Sequence, residues 1–214
     1  SAGDKGNLQP VAGKELWPKS YGWTDHTAGY LVPKTIYYDE HPEYYAMGRD
    51  GKRIAKDKFS VWRTPLCLSN PDVTKIATER MRAWIEAQPN RRFFSLTYGD
   101  TMTHCQCEDC KKLDSVPGQY MDRKLYWVNG VANALAKDFP DKVFITYAYV
   151  NTDYPPRKRK PAPNVLVLYA PWYGRCTNCR VHPYSTCSIS YVAARQMEDW
   201  TKCCPDNLGV YDYG

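Results

Sequence analysis

Helix signals and short apolar strand signals take turns along this chain, and that alternation narrows the fold more than any other feature. The first strong helix opens at Ser69-Asn70-Pro71-Asp72. Asn70 suits the N-cap, Pro71 the first turn, and Asp72 the positive end of the helix dipole. Val73, Ile76, Ala77, Met81, Trp84 and Ile85 then share one face, and Pro89-Asn90 ends the helix. A strand follows from Phe93 to Tyr98. The second helix, Tyr120 to Asp138, aligns Leu125, Val128, Val131, Ala132, Leu135 and Phe139 and leads into a strand from Val143 to Val150. A third strand, Val165 to Ala170, comes after a proline-rich link too broken for a regular helix. The third helix, about Ser190 to Lys202, has Ile189, Val192, Ala193, Met197 and Trp200 on its inner side, and a fourth strand runs from Leu208 to Tyr213.

Such alternation predicts parallel strands joined by crossovers. Val165-Leu166-Val167-Leu168 is apolar on both faces of the pleat, as buried parallel strands are. The rival is an open doubly wound sheet, which would place its ligand at the same strand ends. No Gly-rich phosphate-binding turn follows any strand, which argues against a nucleotide fold. The fold class is therefore α/β, a partial (β/α) TIM-barrel-like domain. A complete eight-fold barrel takes about 250 residues. This chain has 214 and stops on a strand, so it reads as a fragment of a larger barrel. Residues 1–40 show little periodicity and many turn formers, and read as an irregular leading segment. The barrel portion spans 41–214, opening with a short helix at Pro42-Glu43-Tyr44-Tyr45 and a turn from Gly48 to Gly51.

Composition mainly excludes. At 43% hydrophobic and 24% charged residues the chain is globular in type. No apolar run approaches the ~20 residues of a membrane-spanning helix, so no membrane span is expected. Part of the net charge of +6 sits in Arg157-Lys158-Arg159-Lys160, framed by Pro155-Pro156 and Pro161-Ala162-Pro163. A single basic run without a nucleic-acid-binding motif reads as a solvated, extended loop, and no nucleic-acid partner is expected. Ser1-Ala2-Gly3 carries neither an initiating Met nor a signal-peptide pattern, as if a leader had been removed. No feature specifies an oligomeric state.

In parallel α/β folds the working residues sit at the C-terminal ends of strands. Two carboxylates fall there: Asp100, just past Phe94-Ser95-Leu96-Thr97-Tyr98-Gly99, and Asp212, in Val210-Tyr211-Asp212-Tyr213. Glycosidic hydrolysis typically uses two carboxyl groups, one protonating the leaving oxygen and one acting as base or nucleophile. His26 and the His41-Pro42-Glu43 cluster lie in an irregular, aromatic-rich stretch, as the lining of a substrate pocket would. The chain has eighteen Tyr and seven Trp. Their flat apolar faces and polar edges suit a sugar cleft as well as a core.

Nine cysteines leave one over if all the others pair. Cys107 and Cys110 have the spacing with which two thiolates grip one tetrahedral zinc. Cys105, His104 or the distant Cys67 could complete the set. Cys176 and Cys179 repeat the spacing, with His182 and Cys187 following, and Cys203-Cys204 lie further on. Disulfides are the rival reading, as in secreted proteins. Both readings make Cys105, Cys107 and Cys110 a structural staple on a long loop, since all-Cys zinc sites are closed and non-catalytic.

In order along the chain, Tyr38-Asp39-Glu40-His41-Pro42-Glu43-Tyr44-Tyr45 with Gly51-Lys52-Arg53, Leu66-Cys67-Leu68-Ser69-Asn70-Pro71, Asp100 with Cys105-Gln106-Cys107-Glu108-Asp109-Cys110, Tyr147-Ala148-Tyr149 and Val210-Tyr211-Asp212-Tyr213 form a set. The set resembles the bacterial domain of unknown function 4838 family, placed among TIM-barrel glycoside hydrolases near the α-glucuronidases and β-hexosaminidases. The resemblance runs from about Trp23 to the end. His-Pro-Glu-Tyr is also similar to a motif in loops lining the α-glucuronidase sugar site. The resemblance implies a barrel, a saccharide substrate and an exported bacterial protein, secreted or periplasmic. One departure is clear: Gly99 and Thr101 flank Asp100, so the adjacent acidic pair of the hexosaminidases is missing.

The resulting expectation is a glycoside hydrolase-like domain acting on a polysaccharide or oligosaccharide, with Asp100 as acid/base and Asp212 as its partner. His26, His41, Glu43, Tyr147, Tyr149 and Trp172 would contact sugar. No cofactor is needed for the chemistry; zinc, if held by Cys67, Cys105, Cys107 and Cys110, would be structural. The alternatives are a non-catalytic carbohydrate-binding module with the same pocket and a cysteine-rich zinc protein whose basic loop touches nucleic acid.

Overall fold

Strands β1 (Phe93–Ser95), β2 (Val143–Ala148), β3 (Val165–Tyr169) and β4 (Leu208–Val210) form one sheet, parallel throughout and in the order β1-β2-β3-β4. This computed structural model describes residues 26–171 and 191–211. The helices are α1 (Ala28–Leu31), α2 (Lys34–Tyr37), α3 (Pro71–Ala87), α4 (Glu108–Leu113), α5 (Met121–Ala136) and α6 (Tyr191–Cys203). Parallel crossovers are right-handed almost without exception, so strands that advance in one direction keep their helices on one face. The packing agrees. Phe144, Ala148, Val165, Val167 and Tyr169 join the apolar sides of α3 and α5 in one core. Ile145, Tyr147, Leu168 and Ala170 form a separate cluster on the other face. Helices outside and an inner layer of side chains make this the wall of a partial barrel, where a doubly wound sheet would be covered on both faces.

Helix α3 begins where its cap dictates: the Asp72 N–H donates to Asn70 Oδ1 at 2.9 Å. Val73, Ala77, Met81, Trp84 and Ile85 are buried, and Ile76 packs at their margin. The cap contributes about 1 kcal/mol, whereas each large apolar side chain contributes about 1.5–3 kcal/mol on burial. The apolar face therefore decides where the helix lies, and the cap only where it starts. In α6 the expected face needs correction. Val192 is 50% exposed, and Gln196 takes a buried place beside Trp200, accepting from Tyr169 Oη (2.8 Å) and donating to Asp153 Oδ2 (3.1 Å). A polar residue with two buried partners fits there as well as an apolar one. Ile189 lies outside the described residues.

Two segments read as loose are tied down. Residues 26–40 carry α1 and α2 and place Ala28, Leu31 and Val32 in the core. Thr27 runs along the outer edge of β1: its N–H donates to Thr97 Oγ1 (3.1 Å), its hydroxyl to Ser95 O (3.0 Å), and the Ala28 N–H to Thr97 O (3.0 Å). An edge that would otherwise offer free backbone groups is thereby covered. The basic run is anchored too. The Asp122 carboxylate, in the first turn of α5, accepts from the backbone N–H groups of Arg157 (3.1 Å), Lys158 (2.8 Å) and Arg159 (3.1 Å) and from the Ser115 hydroxyl. The charges of this run stay at the surface while its backbone is fixed. Among the described residues no helix is long and apolar enough to cross a membrane.

Candidate functional site

Strand β1 ends in a crowded exit. The Asp100 N–H donates to Trp62 O at 2.8 Å, and a Cβ at Gly99 would come within 2.9 Å of the Thr64 nitrogen. Only glycine lets the chain pass the 62–64 segment so closely. Asp100 emerges at the rim of a cavity of about 290 Å³. His26, Arg63, Tyr98, His104, Lys124, Tyr147, Tyr149, Val150 and Asn151 line it as well. The cavity lies at the C-terminal ends of β1 and β2, where a parallel α/β fold holds its ligands. The Asp100 carboxylate is part-buried and makes no hydrogen bond or ion pair among the described residues. It is available to a ligand.

The cavity wall holds three costly arrangements. Lys124, in the first turn of α5, is 4% exposed, and its Nζ donates to Tyr147 O at 2.6 Å. Burial alone lowers its amine to about 7. His104 is stacked between Tyr98 (ring centroids 5.1 Å apart) and Tyr120 (4.1 Å), with Nε2 2.9 Å from Asn151 Oδ1. Its buried Nδ1 has no hydrogen-bond partner among the described residues, and burial holds the ring neutral, with its titration down to about 3. Val150 adopts φ 57°, in the left-handed region, which is a strained position for a β-branched residue. Neighbouring bonds hold it there: the Thr152 hydroxyl donates to Tyr149 O (2.8 Å), and the Tyr120 N–H donates to Asn151 O (3.0 Å). Strain of this kind costs on the order of 1–3 kcal/mol and persists where the surroundings over-determine it.

Behind His104 lies the thiol cluster. Cys67, Cys105, Cys107 and Cys110 bring their sulfurs within 4.8 Å of one another. Cys67 Sγ is 3.7 Å from Cys107 Sγ and 3.9 Å from Cys110 Sγ. A tetrahedral site with zinc–sulfur bonds of about 2.3 Å has sulfurs about 3.8 Å apart, whereas a disulfide needs about 2.05 Å. All six described cysteines are free thiols. The donors are supported from outside: the Met47 N–H donates to Cys105 Sγ (3.3 Å), Arg53 Nη1 lies 3.9 Å from the same sulfur, and Cys110 Sγ donates to Ser69 Oγ (3.2 Å). Hydrogen bonds from Cys105 and Cys110 hold the Cys67 thiol far below the ordinary range. The four cysteines form a cluster that could hold a metal ion. Arg123 links it to α5 by donating to Cys105 O (2.5 Å) while paired with Asp114.

Of the residues singled out in the sequence, Asp100, His26, Tyr147 and Tyr149 meet at the cavity. His41 and Glu43 do not line it; the His41 ring stacks on Tyr44 at 4.7 Å, and its Nδ1 is 3.0 Å from Glu43 Oε1. Asp212 and Trp172 lie outside the described residues, as do Cys176, Cys179, Cys187 and His182. His104, one of the options for the fourth ligand, is engaged with Asn151, and Cys67 takes that place. Sequence reasoning missed Lys124, Arg63 and Asn151. Asp122-Arg123-Lys124 puts three charges in the first turn of α5, but nothing in their spacing singles out Lys124 as the one turned into the cavity.

The comparison with curated proteins finds no match. The family model for a domain of unknown function (DUF4838) matches residues 5–214, nearly the whole of the chain just described, and the protein belongs to that family.

Proposed function

We propose that the strand-end cavity binds a saccharide and that the chain is a glycoside hydrolase-like domain in which Asp100 serves as acid/base. The observation that carries this reading is a carboxylate without a partner among the described residues, in a cavity of about 290 Å³ whose walls also hold Tyr98, Tyr147 and Tyr149. That volume suits one or two sugar rings, and aromatic faces stack on the C–H surfaces of sugars. Asp212 is retained as the partner carboxylate. Export, to the periplasm or beyond the cell, belongs to the same reading.

A second reading, non-catalytic carbohydrate binding, draws on one feature: Asp100 is the only carboxylate among the described lining residues. One experiment separates the two. The protein is titrated with mono- and oligosaccharides and assayed on a broad panel of chromogenic glycosides, alongside Asp100→Asn. The amide keeps the shape of the carboxyl group but moves no proton, so turnover is expected to fall by about 10²–10⁴-fold with sugar affinity nearly kept. Binding without turnover in the parent would select the binding module; neither would remove both readings.

We also propose that the four-thiol cluster holds a structural zinc ion. Cys67, Cys105, Cys107 and Cys110 would be its ligands, and the ion would supply cohesion between the loop that carries Cys67 and the segment that leads into α4. Metal analysis of protein purified without chelator is expected to give one zinc per chain.

A further inference from the structure

Lys124 is a buried amine that the hydrolase reading does not use. It lines the cavity with Asp100, and Nζ donates to Tyr147 O at 2.6 Å. Among the described residues no carboxylate forms an ion pair with it; Asp100 lines the same cavity but is not its partner. An ammonium group 4% exposed and without an ion-pair partner among the described residues is expensive to keep. The surroundings add to that cost. Besides Asp100, the titratable groups lining the cavity are Arg63, His26, His104, Tyr98, Tyr147 and Tyr149, and none of these six supplies a negative charge near neutral pH. Desolvation lowers the amine to about 7, so far more of it is neutral at pH 7 than of an ordinary lysine.

A neutral lysine amine is a nucleophile toward carbonyl carbon. With one hydrogen committed to Tyr147 O, the lone pair is directed away from that oxygen. We propose that Lys124 captures a small hydroxylated aldehyde, such as an open-chain aldose, as a reversible imine in this cavity. Nζ adds to the carbonyl carbon, and a proton passes from nitrogen to oxygen to give the carbinolamine. Loss of the hydroxyl with one proton releases water and leaves the imine. Asp100, in the same cavity, can deliver and take back that proton. Addition of water reverses every step, so the capture needs no oxidant or reductant. The proposal shares its cavity with the hydrolase reading but does not depend on hydrolysis.

The test uses the full chain with glyceraldehyde as probe and cyanoborohydride, which reduces the imine to a stable secondary amine. Peptide mapping by mass spectrometry follows labelling of Lys124 against the exposed Lys75 and Lys111 over time. At pH 7 the neutral fraction of an amine titrating near 7 exceeds that of an ordinary lysine about a thousandfold. After allowance for access, Lys124 is expected to label at least about tenfold faster than either surface residue. Its rate is expected to rise through pH 7 and level off above 8. Labelling of Lys124 no faster than that of Lys75 and Lys111 would overturn the proposal, and this comparison needs no variant. Lys124→Arg is expected to lose the fast-labelled site while the surface sites are unchanged; a fast site persisting elsewhere would also overturn it. Saccharide titration of the same samples reports separately on the hydrolase and binding readings.

Discussion

The thiol cluster and the strand-end cavity are neighbours joined by one peptide bond, His104 to Cys105, yet they are built in opposite ways. In the cluster every sulfur has company: Cys67, Cys107 and Cys110 contact one another or Ser69, and Cys105 receives the Met47 N–H. In the cavity the costs accumulate. Among the described residues Lys124 is buried without an ion-pair partner and His104 keeps an unpartnered nitrogen, while Val150 sits at φ 57°. Groups that are satisfied at rest stabilise a fold, whereas groups left short at rest can spend that deficit on a ligand. On the readings proposed above, cohesion falls to the cluster and chemistry to the cavity.

The comparison breaks most readily at the cluster. Cys110→Ser is expected to destabilise the protein by on the order of 4 kcal/mol, because a structural metal site contributes folding energy outright. For a chain of this size that is a fall of roughly 8–16 °C in Tm, measured by calorimetry, and a chelator should reproduce it in the parent. A change under about 1 kcal/mol in both experiments would remove cohesion from the cluster.

At the cavity the expected effects are smaller and depend on pH. The Lys124 amine titrates near 7 in the fold and near 10.4 when unfolded. Between those values the unfolded chain binds the extra proton, so stability should rise with pH, by at most about 1.4 kcal/mol per unit from this group. Below pH 7 both states are protonated and the penalty is fully present; above about 10.4 it is gone. Lys124→Met should lose this part of the slope in urea titrations from pH 7 to 10. An unchanged slope would mean that the lysine carries no unpaid desolvation. Smallest of all is Val150→Gly. Relief of strain worth about 1–3 kcal/mol is partly offset by the greater freedom of glycine in the unfolded chain, about 0.4–1 kcal/mol. The Tm should stay level or rise by a few degrees, and a fall would mean that Val150 is supported by packing and is not strained.

Much of this structure is written locally. Asn70-Pro71-Asp72 starts α3, and its apolar spacing selects the buried face, because both depend on residues within a few turns of one another. Strand positions and their parallel pairing follow from the same short-range alternation, and Cys107 and Cys110 announce their shared site by spacing alone. Asp100, Tyr147 and Tyr149 were legible as cavity residues because strand ends collect ligand groups whatever the chain between them, and His26 because it lies in an irregular, aromatic-rich segment. What lay beyond the sequence depended on long-range contact. Cys67 joins thiols 38 residues or more away, His41 turns to Tyr44 and Glu43, and Asp122 gathers a basic run that reads by itself as free. Lys124 is the sharpest case. As a residue type in an amphipathic helix it belongs to the solvated side, and only the packing of α5 against β2 removes its water and so decides its charge.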